Sequence, residues 1–224
     1  MTPVRARVTS GELGRGFATL VAVALVGALT FAVMATLVDN GVRLSLDRTA
    51  FDVAHDLRTG AMTTTAKVVT ALGSTPAITI LVLATLAFLA HRRRWLEFVP
   101  LAAGAVLTNI GFTWVKQLEA RPRPSGGLIN AGGFAFPSGH AANSVAYVAV
   151  AVALVHAVPR LPGRAGIIVA AIALAAAIGL SRVYLRVHYL SDVIGGWGLG
   201  AALFSVCGCL VLLVAAVRHN GRAA

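Results

Sequence analysis

Three short clusters in this chain combine side chains that together suit a phosphoryl group. Residues 116–124 read Lys-Gln-Leu-Glu-Ala-Arg-Pro-Arg-Pro, residues 137–140 read Pro-Ser-Gly-His, and residues 181–192 read Ser-Arg-Val-Tyr-Leu-Arg-Val-His-Tyr-Leu-Ser-Asp. Lys116, Arg123 and Arg182 supply cations, and a guanidinium fork matches two phosphate oxygens at once. Pro122 and Pro124 stiffen the backbone on either side of Arg123. Ser138 and Gly139 stand where a helix opens, so their backbone amides point out of a positive dipole end and form a cradle for an anion.

The histidines in these clusters add reactivity. His188 and Asp192 are four residues apart, which puts both on one face if the last helix begins near Tyr189 or slightly earlier. The carboxylate can then accept a hydrogen bond from one ring nitrogen, fix the tautomer and leave the other nitrogen free to attack. His140, an imidazole with an ordinary pKa near ~6.5, suits protonation of a leaving oxygen. Asp192 and the neighbouring Glu119 are too few carboxylates for a two-metal site. The chemistry expected is covalent, with no metal and no cofactor.

These clusters must be held by elements that composition identifies as membrane helices. The 224 residues are 58% hydrophobic and 12% charged, with mean hydropathy +0.82, far from a soluble domain. Six uncharged runs, at 17–38, 68–90, 98–115, 141–158, 165–181 and 193–217, are long enough or nearly so to span a bilayer. The first is too long for a signal-peptide core and lacks a small-residue cleavage site, so it is read as a span. The expected fold is all-α: a polytopic membrane protein with six transmembrane helices, residues 1–224 forming one membrane-embedded domain. The net charge of +11 is scattered over helix ends, which argues against nucleic acid and for anchoring at anionic lipid headgroups.

Arginine placement orients the spans. With a cytoplasmic N-terminus, the inner segments carry Arg5, Arg7, Arg15, Arg92, Arg93, Arg94, Arg160, Arg164, Arg218 and Arg222. The outer connection dilutes Arg43, Arg48 and Arg58 with Asp39, Asp47, Asp52 and Asp56. Both termini are therefore expected in the cytoplasm, and all three clusters on the extracytoplasmic side. Between Asp39 and Lys67, Leu46, Ala50, Val53 and Leu57 recur at helical spacing. This predicts an amphipathic extracytoplasmic helix that either lies at the interface or packs on the bundle as a solvated helix. Gly195, Gly196, Gly198 and Gly200 include a small-xxx-small pair for close packing within the chain. Cys207 and Cys209 are expected to be packing residues and Asn109 and Asn143 interhelical hydrogen-bond partners. His55, His91, His156 and His219 are expected to be structural.

Lys116 with six residues before Arg123-Pro124, then Pro137-Ser138-Gly139-His140, then Ser181-Arg182 with five residues before His188 and three before Asp192, resembles the three-part signature of the type 2 phosphatidic acid phosphatase superfamily. Every position of that signature is occupied in order, and the spans resemble its integral-membrane branch. The resemblance implies that His188 is a nucleophile forming a phosphohistidine, Asp192 its orienting partner and His140 the general acid. It implies phosphate binding by Lys116, Arg123, Arg182, Ser138 and Gly139. Pro124, Pro137 and Ser181 complete the signature as accessory positions, and Arg121, off its spacing, is accessory too. The expected activity is hydrolysis of a lipid-linked phosphomonoester or pyrophosphate, with polyprenyl diphosphate leading over phosphatidic acid and phosphatidylglycerol phosphate. A phosphotransferase and a non-catalytic lipid-phosphate transporter remain as alternatives. The bilayer and a lipid phosphate are the expected partners, and the sequence leaves the oligomeric state open.

Overall fold

A computed structural model describes residues 10–41, 44–158 and 161–220. Of the topology-setting arginines, Arg5, Arg7, Arg43, Arg160 and Arg222 lie outside the described residues. Every regular element among the described residues is an α-helix: α1 (Ser10–Asp39), α2 (Ser45–Asp56), α3 (Gly60–Leu72), α4 (Thr75–His91), α5 (Trp95–Glu119), α6 (Gly139–Ala157), α7 (Arg164–Tyr184) and α8 (Leu190–Asn220). Five of these are long and apolar enough to cross a bilayer. The count rises to six if α3 and α4, bent by 47° across a short break, form one span. The all-α polytopic architecture expected from the sequence is the one observed.

Two details differ from the sequence reading. The run at 68–90 is not one straight helix but a broken one. Gly73 and Ser74 interrupt it, Ser74 takes an extended conformation and Pro76 opens α4. A Cβ at Gly73 would collide with Ile178 of α7 and lie 3.2 Å from Cδ2 of His140. The elbow is therefore a place where backbone presses close against the ring of His140. The polar connection is also two helices rather than one, because Thr59 caps a second helix by accepting from the Met62 amide at 3.1 Å. On α2 the packed face is Asp47, Ala50, Phe51 and Ala54, while Leu46, Val53 and Leu57 stay exposed.

α8 is the axis of the bundle, with α1, α5 and α6 packed around it. Its glycines allow this. A Cβ at Gly196 would lie 2.5 Å from the Ser138 carbonyl and one at Gly200 2.6 Å from the Ala142 carbonyl, both on α6 or its cap. On the other side, a Cβ at Gly198 would lie 2.8 Å from the Gly27 carbonyl of α1. These glycines thus serve packing within the chain. The apolar core runs through Val82 and Leu89 of α4, Leu101 of α5, Val150 of α6 and Phe204 of α8. Asn109 donates to Asn143 across α5 and α6 at 3.3 Å, as expected. Leu25, Leu29, Ile80, Leu118 and Val169 stay exposed, the pattern of side chains whose solvent is lipid. At the end of α6 away from the clusters, Arg94 donates to the His156 carbonyl and Arg164 to the Val155 carbonyl, each at 2.7 Å. These bonds satisfy carbonyls that a helix C-terminus leaves open.

Candidate active site

The three clusters meet at one end of the bundle because each sits at a helix terminus there. Lys116 is in the last turn of α5, His140 in the first turn of α6, Arg182 in the last turn of α7 and Asp192 in the first turn of α8. α5 stops at Ala120, which adopts a left-handed φ of 43°, and the chain then runs through the Arg-Pro-Arg-Pro segment to Ser138. Ser138 is the N-cap of α6, accepting from the Ala141 amide at 3.4 Å, and its own amide donates to the Asp192 carbonyl at 2.9 Å. The Pro-Ser-Gly-His cluster is thereby tied to the residue that orients the other histidine.

His188 is only 2% exposed. Its Nδ1 lies 3.3 Å from Oδ2 of Asp192 and its Nε2 lies 3.0 Å from Nη1 of Arg123. A guanidinium has donors only, so Nε2 must be the accepting nitrogen and Nδ1 must carry the proton that Asp192 accepts. The tautomer is thereby fixed, with the Nε2 lone pair facing a cation. Burial pushes the His188 pKa down to about 4, outweighing the opposing pull of Asp192, so the ring is neutral at ordinary pH. Burial also lowers Arg123, against the attraction of Asp192.

The cations are held by the protein itself. Arg123 donates to the carbonyls of Gly132 at 2.8 Å, Gly133 at 3.1 Å and Val187 at 2.7 Å, which aims its fork at His188. Lys116 Nζ donates to the carbonyls of Phe134 at 2.7 Å and Ala135 at 3.3 Å. Arg182, 5% exposed, donates from Nη1 to Thr70 Oγ1 at 2.9 Å, and its buried Nε has no hydrogen-bond partner among the described residues. The positive charges of Arg182, Arg123 and Lys116 all bear on His140. The neutral imidazole of His188 and three cations therefore share one buried end of the bundle, an arrangement suited to an anion beside an unprotonated ring nitrogen.

The remaining sequence-predicted positions have identifiable jobs. A Cβ at Gly139 would lie 3.1 Å from the Phe112 ring, so glycine permits the close approach of α6 to α5. Ser181 donates to the Ile178 carbonyl of its own helix at 2.6 Å. Pro137 is buried and Pro124 half-buried in the loop. Arg121, expected to be accessory, bonds Asp192 Oδ1 directly, with Nη1 also donating to Ser191 Oγ at 2.8 Å and Nη2 to Asp47 Oδ2 at 3.2 Å. Sequence reasoning missed Asp47, Ser191 and Thr70. Asp47 lies with Ala50, Phe51 and Ala54 on the face of α2 that packs, a face that the more apolar Leu46, Val53 and Leu57 masked in the sequence.

The sequence pattern of the PAP2 superfamily matches residues 97–215. Phosphatidylglycerophosphatase B of Bacillus subtilis (strain 168) is 32% identical over 119 residues, which are 51% of this chain and 57% of that protein. The chain thus spans little more than half the length of that relative. Decaprenylphosphoryl-5-phosphoribose phosphatase of Mycobacterium tuberculosis is 32% identical over 147 residues, 63% of this chain and 75% of the relative. Among solved structures, a transmembrane PAP2-type phosphatidylglycerolphosphate phosphatase from Bacillus subtilis has a TM-score of 0.72 at 24% identity, covering 80% of this chain and 93% of that one. Aquifex aeolicus LpxE has a TM-score of 0.59 at 24% identity, covering 75% and 96%. At those identities the solved structures speak for the fold.

Proposed function

The chain belongs to the PAP2 superfamily, and we propose that it hydrolyses a phosphomonoester carried on a membrane lipid through a phosphohistidine on His188. The observation that carries this reading is the fixed tautomer: Nδ1 is bonded to Asp192 and the Nε2 lone pair faces Arg123 at 3.0 Å. A protein that merely held a lipid phosphate would need the cations but not a buried, neutral, oriented imidazole, which weighs against the transporter alternative.

In the first step a phosphoryl oxygen takes over the Arg123 donor, and Lys116 and Arg182 share the charge of the other oxygens. The Nε2 lone pair forms the P–N bond as the P–O bond to the lipid breaks. His140 gives its proton to the leaving oxygen, and Asp192 accepts from Nδ1 throughout, offsetting the positive charge that develops on the ring. In the second step His140 takes a proton from water, whose oxygen attacks phosphorus and releases inorganic phosphate with His188 restored. The first amides of α6, at Gly139, and the Ser138 hydroxyl are the further donors assigned to the phosphoryl group.

The names of the two relatives describe a terminal phosphate on a lipid-borne glycerol or ribose, which favours a phosphomonoester over the polyprenyl diphosphate ranked first from the sequence. Arginine placement supports cytoplasmic termini and an extracytoplasmic site. A cysteine replacing the exposed Ser125 should react with an impermeant label from outside intact cells, and cytoplasmic-only reaction would invert the topology.

The decisive assay uses protein purified in detergent, with chelator present, and a panel of phosphatidylglycerophosphate, phosphatidic acid, a polyprenyl-linked phosphoribose and polyprenyl diphosphate. Stoichiometric inorganic phosphate from at least one monoester, and none from H188A, is expected. Wild-type turnover in H188A would overturn the reading, and transfer of phosphate to an alcohol without free phosphate would favour the phosphotransferase.

A further inference from the structure

Asp47 belongs to none of the three clusters, yet it is 6% exposed on a helix that otherwise carries charge outward. Its Oδ1 accepts from the Ser191 amide at 2.8 Å, and its Oδ2 accepts from the Ser191 hydroxyl at 2.8 Å and from Nη2 of Arg121 at 3.2 Å. The same guanidinium lies over the Tyr189 ring at 4.1 Å and bonds Asp192 Oδ1. One cation therefore sits between two carboxylates, with Ser191 filling the gap.

The consequence falls on Asp192. Its Oδ1 is held by Arg121, and its Oδ2 accepts from the Tyr189 amide at 2.8 Å and from His188 Nδ1 at 3.3 Å. With both oxygens engaged from opposite sides, the carboxylate plane is fixed and the imidazole with it. Arg121 alone would also compete with His188 for the Asp192 charge, because it brings a full positive charge where the neutral imidazole brings only an N–H. Asp47 counters that by sharing the guanidinium charge.

We propose that Asp47, Arg121 and Ser191 form a positioning bracket that sets the orientation of Asp192, making the docking of α2 a requirement for turnover. The proposal rests on His188 being the nucleophile. None of the three bracket residues touches the phosphoryl group; each acts through Asp192. By analogy with outer partners of metal-bound histidines, removal of such a group lowers activity by about 10–100-fold.

The test uses the full chain in detergent and the lipid monoester that turns over fastest. D47N should lower kcat by about 10–100-fold with KM changed less than about threefold, and D47E should recover part of the loss. The groups around the His188–Asp192 pair are Lys116 on α5, Arg121 and Arg123 in the following loop, His140 on α6, Arg182 on α7 and Asp47 on α2. Removing the Asp47 charge leaves this set more positive, so the acid limb of kcat/KM should move to lower pH. A purely structural helix contact would not move that limb in folded protein. D47N that folds with wild-type kcat and acid limb overturns the proposal. Should D47N not fold, S191A decides: a loss of about 3–10-fold in kcat at unchanged KM supports the bracket, and wild-type kcat overturns it. H188A run alongside separates the two levels. An active H188A sinks the mechanism itself, whereas an inactive H188A beside an unaffected D47N sinks only the bracket.

Discussion

Replacing Asp192 with asparagine keeps shape and volume but exchanges one acceptor for a donor, and the site has no place for that donor. If the new amide nitrogen takes the Oδ2 position, it faces the Tyr189 amide and the Nδ1 proton of His188, both donors. The ring escapes by moving its proton to Nε2, which then meets the Arg123 guanidinium now 3.0 Å away and no longer offers a lone pair to phosphorus. If the nitrogen takes the Oδ1 position instead, it faces Arg121, which loses its charged partner in a buried setting. Either orientation leaves a buried donor unmet, at about 1–3 kcal/mol. Either also withdraws the negative charge that offsets the positive ring as the P–N bond forms. Together about 4 kcal/mol is lost from the transition state, which converts to about 10³-fold in kcat. Phosphate release at saturating lipid, read beside a melting curve in the same detergent, measures it. A folded D192N within tenfold of wild-type kcat would refute the claim that this carboxylate fixes the tautomer.

Three further outcomes follow from the packing and the charges. Because burial lowers His188 to about 4 from 6.5, the folded protein resists a proton that the unfolded chain accepts: stability is full above pH ~6.5 and falls as pH drops toward 4, by about 3 kcal/mol in all. Melting temperatures across that window should fall steeply for wild type and less so for H188N; parallel curves would contradict the assignment. T70V deletes the acceptor bonded to Arg182 Nη1 among the described residues while keeping the volume, so kcat/KM should fall about tenfold and the melting temperature by a few degrees. Unchanged kinetics would mean that Arg182 is held in place by packing alone. G200A should cost at least about 2 kcal/mol, because its Cβ would lie 2.6 Å from the Ala142 carbonyl and 2.9 Å from Val145 Cγ2. G166A, with nothing within 4 Å, should be neutral or slightly stabilising. Equal melting temperatures for the two variants would refute the packing role of α8.

Hydropathy located the membrane helices but not their interior faces, and α2 shows why. In the sequence, Leu46, Ala50, Val53 and Leu57 admit two readings, a face laid on the membrane interface or a face packed on the bundle, because apolar spacing alone does not say which apolar medium it meets. Leu46, Val53 and Leu57 remain exposed, as side chains do when lipid can serve as their solvent. The inward face is then free to carry a small residue such as Ala54 and a carboxylate such as Asp47, provided the carboxylate finds donors. The same blindness hid the break at Gly73. Glycine and serine barely lower the hydropathy of a long run, and what bends the chain there is the approach of Ile178 and His140, both more than sixty residues downstream.

The site divides along the same line. Residues that chemistry requires at fixed local spacing, such as His188 just ahead of α8 and Asp192 in its first turn or Lys116 one helix end before Arg123, were legible because the local backbone alone relates them. Residues that hold those groups in place were not, because they arrive from helices far away in sequence: Thr70 meets Arg182 across 112 positions and Asp47 meets Ser191 across 144. In the sequence Asp47 is one of four acids diluting a basic loop, indistinguishable from Asp39, Asp52 and Asp56. Only packing singles it out, and the cost of burying an unpaired carboxylate makes its bonds to Arg121 and Ser191 obligatory rather than incidental. α2 therefore cannot leave the bundle without stranding the charge of Arg121 beside Asp192. This couples the seating of α2 to the competence of His188.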